Sequence, residues 1–404
     1  MKTPVPFDIL SYITNILVIE SDNESLRAFS LLCKFMVPLC RQYLFSSVTL
    51  RSSKSTTPKG IGLTRFLSGS PDTTCRIKNL EFVVETPTST SQDVLDILKI
   101  MLSQSTSLQS ITFSSLGWPD WNVLHKPTKA LLVSLIQLPT VTHLKLGAIK
   151  NFPLVALSFC SGLTDFSVSA YPYKAISPDS GQIVSRSKIP SPVSLYIRHF
   201  YSAIAILMRP PSPNVIDPIM DFSRLVDASF HICSENDASQ MAELLKTAGR
   251  LQTLFIDYEE DHPLQLAGLG SSLAINAYQT LKSVKLSLLV DGDHHDPLYG
   301  LPLELQQLSG NNVLEELKVD VLVSVDKPCP TDSDDWSDLD AVLTKQGAFP
   351  MLRRVTLNLL WSSCDRDEEE VEALLDSLTR DRFPRLLQNS AIHFLFNAEH
   401  DYLD

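Results

Sequence analysis

A six-residue pattern, apolar-x-x-apolar-x-apolar, returns along the chain. It reads IKNLEF from Ile77, LQSITF from Leu108, VTHLKL from Val141, LTDFSV from Leu163 and LVDASF from Leu225. It continues as LQTLFI from Leu251, LKSVKL from Leu281, LEELKV from Leu314 and LRRVTL from Leu352. Start-to-start spacings are 31, 33, 22, 62, 26, 30, 33 and 38 residues. The gap of 62 holds SLYIRHF, from Ser194, where one more copy belongs, and a degenerate AIHFLF begins at Ala391. The last positions of each copy alternate, as in a half-buried strand, and self-similarity at a period near thirty marks a repeat architecture.

Helical patterns lie between the copies. SQDVLDILKIMLSQ has Ser91 as the expected cap and Val94, Leu95, Leu98, Met101 and Leu102 on one face. NDASQMAELLKTAG places Met241, Leu244, Leu245 and Ala248 at helical spacing, with Gly249 as the stop. Further helices are predicted over 129–138, 298–308, 336–346 and 368–378. The expected fold class is therefore α/β: a solenoid with a parallel sheet on one side and helices on the other. Over residues 75–396 it resembles leucine-rich repeats. The Asn or Cys that usually sits three residues after the last apolar position is matched by Cys233, whereas Leu116, Ile149, Leu289, Leu322 and Leu360 hold that place elsewhere. Longer strands such as VKLSLLV from Val284 would compensate, giving an irregular arc. The Ser- and Pro-rich stretches from Tyr171 and Arg209 read as loops.

The opening segment has a different period. After Pro6 come Ile9, Leu10, Ile13, Ile16 and Leu17 at helical spacing. Ser25 is expected to cap a second helix with Leu26, Phe29, Leu32 and Cys33, and Pro38 to start a third with Leu39, Tyr43 and Leu44. Three helices of about ten residues cannot bury so many large apolar groups among themselves, so part of that surface should face a partner. A solenoid also needs its first apolar edge covered, and a mere cap would meet that need. The segment resembles an F-box in Val5-Pro6-Phe7-Asp8-Ile9-Leu10, Ser25-Leu26 and Leu32-Cys33, with Met36 where the family has Trp. The tail YLFSSVTL, leading into the first strand, is similar to fungal F-box proteins with degenerate leucine-rich repeats. This resemblance implies a helical domain over 1–47 and a solenoid over 48–404. It implies docking on a Skp-family adaptor of a cullin–RING ubiquitin ligase through Pro6, Ile9, Leu10, Ile13, Leu26, Leu32 and Cys33. The chain would then be the substrate-recognition subunit; the alternative is a free-standing repeat scaffold whose first helices only seal the solenoid.

Strand alternation assigns the two faces of each repeat. Leu254, Ile256, Leu286, Leu288, Leu317, Val319, Val355 and Leu357 should point to the helices. On the outer face Phe255, Asp257, Glu259, Lys285, Lys318, Asp320, Arg354 and Asn358 are candidates for holding a protein substrate, with Phe255 as the anchor. The earlier strands carry a blander face of Ser110, Thr112, Ser114, Asp165, Ser167 and Ser169.

Composition narrows the classes. With 44% apolar and 20% charged residues the chain is a folder, and its net charge of −12 argues against nucleic acid and anionic membrane surfaces as partners. Seven scattered cysteines without C-x-x-C suit reduced thiols, and no leader or apolar run of 18 residues is seen, so a cytoplasmic or nuclear location is expected. DGDHHDP, from Asp291, gathers metal-ligand types but lacks a second cluster and reads as a solvated turn. The acidic runs from Thr331 and Asp365 read as helix starts, and WPDW from Trp118 as loop packing. No phosphate loop or hydrolase motif occurs. The expectation is a binding protein, neither enzyme nor cofactor carrier.

Overall fold

Each copy of the motif forms a strand. The computed structural model describes residues 6–20, 22–32, 34–52, 58–85, 88–115, 117–147, 149–169, 188–198, 202–210, 217–259, 266, 268–291, 298–324, 334–363 and 377–402. The chain divides into two compact units, Met1–Leu163 and Thr164–Asp404.

The first unit opens with α1 (Phe7–Ile19), α2 (Asn23–Ser30) and α3 (Met36–Leu44). It continues through β1 (Ser47–Ser52), α4 (Pro58–Gly69), α5 (Pro71–Thr74), β2 (Asn79–Val84), α6 (Gln92–Gln104), β3 (Ser110–Ser115), α7 (Lys126–Ile136) and β4 (His143–Gly147). The four strands are parallel and paired in chain order. The second unit contains β5 (Asp165–Ser169), β6 (Ser194–Arg198), α8 (Ser202–Leu207), β7 (Asp227–Ile232), α9 (Glu235–Leu245), β8 (Thr253–Glu259), α10 (Leu269–Asn276), β9 (Ser283–Asp291), α11 (Leu301–Gln307), β10 (Glu316–Ser324), α12 (Asp334–Thr344), β11 (Arg354–Ser363), α13 (Pro384–Gln388) and β12 (His393–Tyr402). Its strands are likewise parallel and in chain order.

The motif explains this regularity. Its first apolar residue precedes the strand by two positions and is buried, as Leu251, Leu281 and Leu314 are. The other two point inward from the strand and stack on their counterparts: Leu254 pairs with Val284, and Ile256 with Leu286. Each such side chain contributes about 1.5–3 kcal/mol when fully buried, so a residue slipped by one would forfeit several at once. Where strands lengthen, alternation simply continues. β9, β10 and β11 carry Leu289, Leu322 and Leu360 abreast, at the place where an Asn would end a shorter strand. In the first unit WPDW serves packing, since Trp121 is buried 4.9 Å from Phe152 and 6.2 Å from Phe113.

Buried carboxylates fasten neighbouring helices in the second unit. Glu304 of α11 accepts from the Gly268 and Gly270 N–H groups at the start of α10, at 3.1 and 2.7 Å. Asp340 of α12 accepts from Arg385 and Leu386 N–H at the start of α13, at 3.0 and 2.8 Å. Helix starts carry unsatisfied donors and partial positive charge, so a neighbour's carboxylate fits there. Asn312 does related work: its amide donates to Leu308 and Ala348 carbonyls, both at 2.7 Å, and its oxygen accepts from Leu314 N–H.

Three sequence expectations about the head are corrected. Asp22, not Ser25, caps α2, accepting from Ser25 N–H at 2.9 Å. That helix stops at Ser30, so Leu32 lies beyond it in a turn. The third helix begins at Met36, and Pro38 sits in its first turn, where a missing N–H costs nothing. Most of the Ser- and Pro-rich insert from Tyr171, the DGDHHDP turn after Asp291 and most of the helix expected over 368–378 lie outside the described residues. No helix among the described residues is long and apolar enough to cross a membrane, and no cluster of metal-ligand types occurs among them. The four described free cysteines include Cys160, whose thiol burial pushes up to about 12, so it is an unreactive core residue.

Candidate functional site

The helical head has a small core of its own. Leu26, Met36 and Cys40 are buried in it, with the Thr14 hydroxyl bonded back to the Leu10 carbonyl at 2.8 Å. Met36, only 1% exposed, is therefore an inside residue. Around this core lies a rim of bare apolar groups. Phe7, Ile9 and Tyr12 project from α1, while Leu31, Leu32 and Phe35 project from the turn between α2 and α3. Leu31 is 85% exposed and Leu32 69%. The two sets meet where Phe7 and Phe35 pack edge to face with centroids 5.1 Å apart, so this is one patch contributed by two segments.

The sequence-predicted docking residues divide accordingly. Pro6, Ile9 and Leu32 are exposed, and Leu10 and Ile13 are partly covered. Leu26 is 2% exposed and cannot meet a partner; it faces inward because its own helix turns that side to the head core. Cys33 lies outside the described residues. Phe7, Tyr12, Leu31 and Phe35 were not singled out from the sequence, because helical spacing identifies an apolar stripe without saying which side finds a neighbour.

On the sheet of the second unit, register gathers outward residues into rows. One runs Ser167, Tyr196, Ser229, Phe255, Lys285, Lys318, Thr356, Leu395. The next, two residues on, runs Ser169, Arg198, His231, Asp257, Ser287, Asp320, Asn358, Asn397. Most of the expected substrate residues are thus brought together. Asp320 receives Lys318 at 3.1 Å, Lys285 at 3.3 Å and the Asn358 amide, and Asn358 in turn accepts from Asn397 at 2.8 Å. The Lys285 ammonium also stands 5.0 Å from the centre of the Phe255 ring, within range of a cation–π contact. Arg354 stands apart, one row back, and pairs with Glu316 at 3.2 Å. The side chain of Glu259 is outside the described residues.

Asp257 joins a residue the sequence reading passed over. His231 Nδ1 lies 2.8 Å from Asp257 Oδ2. That hydrogen bond is the main reason the Asp257 carboxyl is held below the usual carboxylate range; partial burial opposes it, and Ser287 and the charges of His231 and Arg198 assist. At Asp320 burial is the largest influence and acts upward, but the bonds from Asn358, Lys318 and Lys285 together outweigh it and the pKa is lowered.

Both shifts have the same sign for stability. A folded pKa below the unfolded one adds stability above about pH 3.9, which is lost as pH falls through the folded value. The Asp257→Asn, Asp320→Asn variant is therefore expected to show a flatter fall in its urea midpoint between pH 5 and pH 2.5 than the parent. Parallel curves would mean that these carboxyls titrate alike in both states.

Chemically, the described side chains of this face offer ion pairs, hydrogen bonds and an aromatic surface. No family model matches the chain, and no curated protein matches its sequence.

Proposed function

We propose that the chain is the substrate-recognition subunit of a Skp–cullin–F-box type ubiquitin ligase. The head would dock on a Skp-family adaptor, and the outer sheet face of the second unit would hold a protein substrate. The observation that carries the first half is the bare apolar rim of Phe7, Ile9, Tyr12, Leu31, Leu32 and Phe35. Large apolar groups gathered on so small a helical unit are what a partner interface uses, and water-exposed they are a liability. The F-box resemblance names the partner. Such a protein performs no bond chemistry; it raises the local concentration of its target near the transferring enzyme.

The free-standing scaffold also has an observation in its favour. Phe45, at the end of α3, stacks on Phe66 of α4 at 4.9 Å, so the head is seated on the first coil as a cap would be. Capping and docking use different residues and are separable.

Co-purification with the adaptor separates them. Ile9→Asp with Leu32→Asp alters two exposed positions, so the melting curve is expected to stay while adaptor recovery falls at least tenfold. Full recovery with the double variant would leave only the scaffold. Leu26→Asp is the wrong probe, because it places a charge in the head core and abolishes binding through unfolding.

A further inference from the structure

We infer that the groove between Tyr196 and Phe255 is a receptor for a lysine or arginine side chain of an extended peptide. This rests on the sheet face being the substrate surface and specifies the substrate's chemistry.

The groove follows from register. Tyr196, Ser229 and Phe255 stand abreast on β6, β7 and β8, and outward side chains on neighbouring strands are parallel. Two large rings thus flank a residue with almost no side chain. The result is a concavity of about 350 Å³ lined by Tyr196, Ser229, Phe255, Asp227, Thr253 and Lys285, among others. Strands are about 4.8 Å apart, so the ring rows are separated by about 10 Å. A cation on the midline sits about 5 Å from either ring, inside the roughly 6 Å over which an aromatic face attracts positive charge.

The charges around the groove favour the same occupant. Asp227 is exposed at one end and accepts a hydrogen bond from the Thr253 hydroxyl. No cation pairs with it among the described residues. Among the described side chains, the outward positions of β5 to β8 carry Asp165, Asp227 and Asp257, the last bonded to His231, against Arg198. Lys285, the one cation on the wall, is held from the opposite side by Asp320 at 3.3 Å and covers the β9 side of Phe255. Asp320 also receives Lys318 at 3.1 Å, so it offsets the Lys285 charge only in part, but it draws that ammonium toward β10 and leaves the Tyr196 side for an incoming group. An acidic side chain would meet Asp227; an aliphatic one would leave that carboxylate desolvated beside it. A basic one satisfies both the rings and the carboxylate.

Selection of a displayed random dodecapeptide library on the full chain tests this. The expected result is enrichment of peptides with Lys or Arg at a fixed place, whose synthetic representatives lose at least tenfold in affinity on Ser229→Trp, Asp227→Asn or Tyr196→Ala. Replacement of the basic residue by norleucine should have the same effect. These positions are outward, so unchanged melting curves serve as the folding control. Enriched peptides without a basic residue, or a library yielding none sensitive to Ser229→Trp, would overturn the inference. Peptides lost on Leu322→Asp yet indifferent to the groove variants would overturn it while leaving the sheet as the substrate surface.

Discussion

Gly270→Ala is expected to destabilise the second unit by at least about 3 kcal/mol, the upper end of the cost of overpacking. A Cβ at this position would lie 2.0 Å from the Glu304 carbonyl oxygen, 2.9 Å from its carbon and 3.0 Å from Gln307 Cβ. The obstruction is backbone, which no rotamer change relieves, so α10 and α11 must separate. Separation also draws the Gly270 N–H away from the Glu304 carboxylate it meets at 2.7 Å, forfeiting a charge-assisted bond worth about 1.5–3 kcal/mol. Hydrogen exchange of the α10 and α11 peptides would read this directly. Gly249→Ala is the control: its added Cβ meets only Asn276 Cβ at 4.0 Å, an ordinary contact, and stability should stay within about 0.5 kcal/mol. Equal effects at the two glycines would mean that the helices are not closely packed at Gly270.

Asp340→Ala should cost about 2–4 kcal/mol, because two backbone donors, Arg385 and Leu386, lose their acceptor together. Leaving each buried donor unmet costs about 1–3 kcal/mol. The loss should be local, freeing α13 and the Trp336–Phe383 contact at 5.9 Å before the rest of the unit. Accelerated exchange confined to 377–402 is the expected signature. Uniform acceleration across the second unit would place Asp340 in a global role. Asp340→Asn keeps an acceptor oxygen and should recover part of the loss.

Neither carboxylate is recognisable in the sequence, and the reason is physical. A single Glu or Asp among apolar helical positions looks like a solvated break in the stripe, and only a neighbour's helix start makes it an inside group. The strands were legible because each needs little more than two alternating apolar positions and one ahead of them, as in Leu251, Leu254 and Ile256. Short helices such as α8 and α10 carried too few turns to declare a period. In the head, Leu26 and Leu32 share the same apolar character yet end on opposite sides, since α2 stops at Ser30 and the chain turns. The Asp320–Asn358 contact joins residues 38 apart; the outward positions were readable one strand at a time, but their rows required the register. Tyr196 was missed for this reason, because its significance comes from Phe255 two strands away.

The chain-order pairing has a mechanical corollary. Within the second unit each strand is bonded to those just before and after it in the chain, and strand starts are 26 to 39 residues apart. A pull on the end of β12 therefore loads one ladder at a time, as a zipper is opened. Every rupture should release about 90–140 Å of slack, so a force–extension trace would be a sawtooth of modest, evenly sized teeth.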